Sequence, residues 1–276
     1  MDGVGSVTPT ALPAAASLAL APLIERESGP ALVLGVSDPA VWIAKADGVL
    51  VVSTTDAVRL PNSVVIVPAA SDRPFLQIRS GAEAIVGAGA IGFQSLTVRV
   101  IRWWDPVPAL EHSRPREVAA VMGALDGMVP DIPDQGLETA LASGDDEAVL
   151  GAARRLIGLG DGLTPMGDDL LAGAVAGMLL MGGSMGEERC AALIQRLEGP
   201  VMEHAAAATT TFSAALLGHA FGGEVAAPAA TLLVALAGRG DAVAAARELL
   251  EVGHSSGPAL AAGILVGARA AIERSS

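Results

Sequence analysis

Residues 157–173 combine glycines, a Thr-Pro pair and two adjacent carboxylates directly before an apolar, helix-length segment. Glycines let the backbone approach a ligand or adopt positive φ, and Thr164 and Pro165 are typical of a helix start. The N–H groups of a first helical turn attract anions, whereas Asp168 and Asp169 place negative charge there. Three roles stay open for this pair: a cation site, an acceptor for amide N–H groups, or helix capping.

A second polar turn occupies residues 252–258, in the order Val-Gly-His-Ser-Ser-Gly-Pro. His254 could act as a general acid or base, or donate a hydrogen bond to an oxyanion. Ser255 and Ser256 could cap the next helix or bind a ligand. The alternative is a serine-capped helix with an incidental histidine. Adjacent Ser and His side chains rarely form a nucleophilic dyad, so we do not expect one.

A third polar cluster, Thr209-Thr-Thr-Phe-Ser213, follows Glu203 and His204. Three consecutive threonines form a poor helix interior because their β-branched side chains lose rotamer freedom. We therefore expect this cluster to cap a helix that begins here. Glu203, His204 and His219 lack a known metal-binding spacing, so structural zinc is not expected.

The two helices that follow the first two turns share a sequence pattern. Residues 167–177 align without a gap on residues 257–267, and glycines recur four residues apart in both. Such glycines lie on one face of a helix and permit close backbone approach. We predict that the two helices cross at these faces and bring their polar N-terminal turns to one pocket. The alternative is coincidence in a chain rich in alanine and glycine.

Composition limits the partners and the compartment. The net charge of −13 disfavours nucleic acid and anionic membranes as partners but allows a small anionic substrate at a local site. One cysteine, Cys190, excludes an internal disulfide and fits a reducing compartment. No Lys or Arg precedes Arg26, and the longest apolar run, residues 170–185, is short for a membrane span. We expect a soluble, cytoplasmic protein.

The order of the elements predicts an α+β fold. Short β-branched runs separated by turn residues indicate an antiparallel barrel or sandwich in residues 1–105. Glycine and proline breaks, Gly199-Pro200 among them, divide residues 106–276 into a helical bundle that carries the motifs. The predicted strands are Ala31–Val36, Val41–Ala44, Gly48–Ser53, Ser63–Val67, Phe75–Arg79 and Ser95–Arg102.

Residues 158–173 resemble the characteristic motif of a bacterial family, once catalogued as a domain of unknown function, that includes AllH, a subunit of oxamate carbamoyltransferase. Residues 252–257 resemble its second motif, residues 209–220 its middle one, and residues 60–63 a weaker N-terminal one. Two departures stand out. Gly160-Asp-Gly162 replaces the usual Gly-Pro-Gly, and Pro258-Ala259 replaces a common Thr-Asp.

The resemblance implies a subunit of a complex that transfers a carbamoyl group between a small amide or carboxylate and phosphate. This reaction belongs to allantoin catabolism, a route of purine degradation, and it implies partner subunits. A transferase activity of the chain itself stays open. The competing hypothesis is a non-catalytic assembly or small-anion-binding subunit, whose turns only cap helices.

Under the first hypothesis, the two turns divide the chemistry between them. Asp168 and Asp169 would hold an NH₂ group or Mg²⁺, and no other cofactor is implied. His254 and Ser255 would stabilise an oxyanion or move a proton. The other expected ligand-binding residues, with backbone amides of the glycine loop contacting a phosphate or carboxylate, are Gly160, Gly162, Thr164, Gly167, Thr210, Ser213, Ser256 and Gly257.

Overall fold

The computed structural model describes residues 10–275. Residues 1–9, the first part of the segment without Lys or Arg, lie outside the described residues. The chain forms two compact units, Met1–Pro106 and Val107–Ser276. Each unit has its own apolar core.

The first unit contains a closed eight-stranded barrel, with strand order β1-β5-β4-β3-β2-β6-β7-β8. This confirms the β-rich N-terminal fold and decides for a barrel over a sandwich. Most neighbouring strands are antiparallel, but β1 with β8 and β4 with β5 are parallel. The elements are β1 Thr10–Ser17, α1 Ala21–Ile24, β2 Gly29–Val36, β3 Ala40–Lys45, β4 Gly48–Ser53, β5 Ser63–Ile66, β6 Glu83–Gly87, β7 Ala90–Gly92 and β8 Leu96–Trp104.

Five of the six predicted strands are confirmed, and Phe75–Arg79 is wrong. That run forms turns and buries Phe75 and Ile78, while Leu76 between them is 62% exposed. Burial three residues apart fits a turn that covers the barrel core, whereas a strand buries alternate residues. Strands β1, β6 and β7 were not predicted. β1 consists largely of alanine with one proline, residues that are depleted in strands.

The second unit is helical, as predicted. Its elements are α2 Pro115–Gly123, α3 Leu137–Ser143, α4 Asp146–Leu156, α5 Met166–Ser184, α6 Glu188–Ala208, α7 Thr211–Phe221, α8 Ala227–Leu236, α9 Ala242–Leu250 and α10 Ser256–Arg274. Within the described residues, none of these helices is both long enough and apolar enough for a bilayer crossing.

The predicted helix break at Gly199-Pro200 is wrong, because α6 continues through it. A proline inside a helix costs about 3 kcal/mol by propensity. Leu197 and Val201, on either side of the pair, are both 2% exposed. Burial of this helix face therefore outweighs the local preference for a break.

Helices α5 and α10 pack against each other through facing glycines. A Cβ atom at Gly173 would overlap the carbonyl oxygen of Leu260, and one at Gly263 would overlap the carbonyl oxygen of Leu170. Gly177 and Gly267 are equally tight against the backbone of the opposite helix. The predicted crossing at the glycine faces is confirmed. The two backbones lie too close for any side chain at the crossing.

We expect Gly263→Ala to lower the free energy of unfolding by about 1–3 kcal/mol, because the added methyl group pushes the helices apart. Urea denaturation measures the change. The matched control is Gly183→Ala, an exposed position on α5 where a Cβ atom meets nothing within 4 Å. The control is expected to gain about 0.5–1 kcal/mol from helix propensity. Equal stability of both variants would contradict the role of the glycine contact.

Candidate functional site

The turns before α5 and α10 lie side by side. The hydroxyl oxygens of Thr164 and Ser256 are 2.8 Å apart and share a hydrogen bond. The sequence hypothesis that the two polar turns meet is thereby confirmed. Thr164 is not the N-cap, because Pro165 takes that position and α5 begins at Met166. The Thr164 hydroxyl connects the two turns instead.

The two turns are built alike. A Cβ atom at Gly167 would overlap the Leu156 carbonyl oxygen at the end of α4, and one at Gly257 would overlap the Leu249 carbonyl oxygen of α9. The N–H group of each glycine donates to a carbonyl of its own loop, at 2.8 Å and 2.9 Å. Gly167 and Gly257, expected to bind ligand, thus seat each helix on the one before it. The N–H groups of both glycines are therefore not free to bind a ligand.

Asp168 is buried and fully hydrogen-bonded, with only 1% of its surface exposed. Its Oδ1 accepts from the N–H of Gly158 at 2.8 Å. Its Oδ2 accepts from the hydroxyls of Thr209 and Ser213, the latter at 2.7 Å. The carboxylate therefore joins the glycine loop, α5 and the start of α7. Its oxygens face protein donors.

Asp169 differs from its neighbour in both hydrogen bonding and charge. It is 8% exposed, and its Oδ2 is buried without a hydrogen-bond partner in the described part of the chain. Burial raises its pKa to about 7, with a further rise from the charge of Asp168. Hydrogen bonds from the side chains of Ser256 and Thr164 oppose the rise. The group can take up or release a proton near neutral pH.

The glycine loop before α5 leaves backbone donors available. Gly160 and Gly162 adopt φ of +112° and +97°, which disfavours other residues there. The amides of residues 160–164 make no backbone hydrogen bond within residues 10–275, and residues 160–163 are exposed. These N–H groups are therefore free donors in the described part of the chain.

The threonine cluster caps α7, as expected from the sequence. Thr210 is the N-cap residue, and its Oγ1 accepts from the N–H of Ser213 at 3.0 Å. The Thr210 hydroxyl also donates to the Leu163 carbonyl of the glycine loop at 2.6 Å. Both predicted binding residues, Thr210 and Ser213, thus hold the loop and Asp168 in place.

The predicted catalytic residues of the second turn have different surroundings. Ser255 is the N-cap residue of α10 but makes no side-chain capping bond. His254 is exposed, and no hydrogen bond of its ring is seen in the described part of the chain. Ser256, expected only to bind ligand, is the residue of this turn that reaches Thr164 and Asp169.

A magnesium ion fits this donor set poorly. Both oxygens of Asp168 already accept protein hydrogen bonds, which leaves Asp169 as the one available carboxylate of the adjacent pair. No group of three or more His, Cys, Asp or Glu side chains among residues 10–275 could hold a metal ion. His219, near the end of α7, is not part of a metal-binding group, because its Nδ1 shares a 2.5 Å hydrogen bond with Glu224 Oε2.

Sequence reasoning missed two residues that build the site. Gly158 donates to Asp168, and a Cβ atom there would overlap the Ala208 carbonyl oxygen at the end of α6. Thr209 donates its hydroxyl to the same carboxylate. Gly158 lies in the first motif of the resemblance, residues 158–173, and Thr209 lies in the middle one, residues 209–220. Their role becomes visible only in the three-dimensional contact between these distant segments.

Comparison with known proteins supports the resemblance. A family model described as "Oxamate carbamoyltransferase subunit AllH" matches residues 156–268. The resemblance predicted from the motifs is confirmed over this segment, which contains both turns and the threonine cluster. Searches of curated proteins and of solved structures found no match.

We expect Asp168→Asn to lower the free energy of unfolding by about 1–3 kcal/mol, because an amide NH₂ must face one of the three donors. Chemical denaturation tests this. Asp161→Asn, an exposed change in the same loop, is the control and should stay within about 0.5 kcal/mol of wild type. A wild-type stability for Asp168→Asn would show that these hydrogen bonds contribute little.

The pKa of Asp169 predicts a pH-dependent stability. Its folded pKa of about 7 exceeds the ordinary value of 3.8, so between these pH values the native state holds a proton that the unfolded chain has lost. The unfolding free energy therefore falls as pH rises through this window, by at most about 1.4 kcal/mol per pH unit. Asp169→Asn removes this fall.

Urea titrations of wild type and Asp169→Asn at about pH 5 and about pH 8 measure the effect. We expect the variant to gain about 2 kcal/mol relative to wild type at the higher pH. The exposed Asp161→Asn variant should show no such pH-dependent gain. If the difference between Asp169→Asn and wild type stays constant with pH, Asp169 does not titrate near 7.

Proposed function

We propose that this chain, whose residues 156–268 match the AllH family model, is a subunit of an oxamate carbamoyltransferase-type complex. Its two adjoining turns would form the site for a small amide or carboxylate substrate. The proposal rests on the family match and on a site whose geometry suits such a ligand. The matched segment includes every residue that builds the two turns.

One observation carries the site assignment. Asp169 Oδ2 is buried without a hydrogen-bond partner in the described residues, at the point where the two turns meet. Leaving a buried polar atom unpaired costs about 1–3 kcal/mol, which a donor on a bound ligand would recover. A ligand N–H group would pair with this oxygen. The amides of residues 160–164, which make no backbone hydrogen bond in the described part of the chain, would face the carboxylate end of the same ligand.

The arrangement suits a proton transfer to nitrogen. In the direction that consumes carbamoyl-oxamate, a phosphate oxygen bonds to the carbamoyl carbon and the C–N bond breaks. The departing oxamate nitrogen then takes a proton, and in the reverse direction it loses one. A carboxyl group with a pKa of about 7 can serve in both directions. We assign this role to Asp169 and a positioning role to Asp168.

A second function is supported by a different observation. The side chains of Asp168, Thr209, Thr210 and Ser213 bond to one another or to neighbouring backbone, which is what a purely structural helix junction requires. The chain would then be an assembly subunit without chemistry of its own. In that case, changes at the two turns alter stability but leave the activity of the complex unchanged.

We expect Asp169→Asn to lower the turnover of the reconstituted complex by about 10²–10⁴-fold, the usual contribution of a general acid or base. The variant chain should still assemble, as checked by size-exclusion chromatography of the complex. The control is Asp126→Asn, an exposed carboxylate of the helical unit outside the two turns, which should keep wild-type turnover. Full turnover of an assembled Asp169→Asn complex would favour the assembly function.

A further inference from the structure

A cleft in the first unit is lined by residues outside both polar turns. It has a volume of about 360 Å³ and opens between the end of β2 and the turn segment 73–80 that covers the barrel core. Its walls include two arginines, Arg73 and Arg79, and the exposed side chain of Leu76. All of its lining residues precede residues 156–268, the segment that matches the family model.

The guanidinium group of Arg79 is held in place and keeps one binding edge free. Its Nη1 donates to the carbonyl oxygens of Leu76 and Ile78, at 2.6 Å and 3.1 Å. Its Nε and Nη2, the two nitrogens that hold a carboxylate side-on, make no hydrogen bond in the described part of the chain. Arg196 of α6 shows what this edge can do, because its Nε and Nη2 bind both oxygens of Asp146, at 2.9 Å and 2.8 Å.

Arg73 adds a second unpaired positive charge to the cleft. Its backbone lies in the left-handed region, with φ of 49° and ψ of 49°, which side chains other than those of asparagine and aspartate rarely adopt. Asp38 lines the same cleft, but neither arginine forms an ion pair with it or with any other carboxylate among residues 10–275. Because the chain has 30 acidic residues and 17 basic ones, two arginines without a carboxylate partner mark a place for an external anion.

The rest of the cleft favours an organic anion over a bare inorganic one. Leu76 is 62% exposed and offers an apolar surface beside the two guanidinium groups. The wall is anchored, because the Ser80 hydroxyl donates to the Leu34 carbonyl of β2 at 2.9 Å. An apolar lining with a few fixed polar groups is the usual composition of a small-molecule site.

We propose that this cleft binds a small organic anion, with a carboxylate or phosphate group on the guanidinium groups of Arg73 and Arg79 and an apolar part against Leu76. The planar guanidinium fork matches the oxygens of either head group. Asp38 offsets part of the positive charge, so the cleft suits a ligand with one acidic group rather than several. This site goes beyond the function proposed for the two turns and does not depend on it.

Benzoate, phenyl phosphate and benzamide are matched probes, because they share one ring and differ in the head group. Saturation-transfer NMR titrations of the whole chain measure weak affinities of this kind. We expect at least one of the two anions to bind, the tighter one identifying the head group, and the uncharged benzamide to bind at least about fivefold more weakly. Inorganic phosphate, which has no apolar part, should bind more weakly than phenyl phosphate.

Substitutions of the two arginines locate the binding. Arg79→Gln and Arg73→Asn each remove one guanidinium group, and asparagine tolerates the left-handed backbone at residue 73. Each should weaken binding of the anion by about threefold to tenfold. Arg79→Lys should also weaken it, because an ammonium group keeps the charge but lacks the fork. The matched control is Arg99→Gln, an exposed arginine of β8 outside the cleft, which should bind like wild type.

Three results would overturn the inference: benzamide binding as tightly as the anions, wild-type affinity in both Arg73→Asn and Arg79→Gln, or no binding of either anion to the wild-type chain at millimolar concentrations. The first and third use the wild-type chain and do not depend on a variant folding. Thermal unfolding of each variant confirms that a lost affinity is not a lost fold. The proposed function is judged separately, by the turnover of the complex with changes at the two turns.

Discussion

The close contact of α5 with α10 is the constraint on which the site depends. Two 19-residue helices meet backbone to backbone because glycines face each other where any Cβ atom would overlap a carbonyl oxygen. This proximity fixes where both helices begin, and therefore where their polar turns lie. The 2.8 Å bond between Thr164 and Ser256 is its direct result. A wider spacing would leave Asp169 at the start of one helix, with no second wall to bury it.

Two neighbouring aspartates have opposite uses because of this geometry. Successive residues of a helix point about 100° apart, so Asp168 faces α7 and the glycine loop while Asp169 faces the turn before α10. The first meets three donors and becomes a structural link. The second loses water without gaining enough donors, which raises its pKa to about 7. In the sequence the two aspartates look equivalent. Their different surroundings in the folded chain give them different hydrogen bonding and different roles.

Local patterns predicted much of this structure. Short β-branched runs indicated most strands, glycine spacing indicated the helix crossing, and the threonine run indicated the start of α7. The failures share a cause, because tertiary packing overrode local preference in each. Phe75–Arg79 buries residues three apart beneath the barrel, and Pro200 stays helical within a packed face. The different roles of Asp168 and Asp169 depend on contacts between distant segments. Thr209 lies 41 residues after Asp168, and Ser256 lies 92 residues after Thr164, so no local pattern contains these contacts.

The two halves of the junction are related in construction but not in chemistry. In both, an aspartate caps a helix, a loop follows, and a glycine seats the next helix on the previous one. At the positions that match Asp168 and Asp169, the second half has Pro258 and the fully buried Ala259. Proline has no N–H to donate and alanine has no acceptor, so the second turn cannot form an equal site. It contributes Ser256 and a wall instead, so the site that we propose is centred on Asp169.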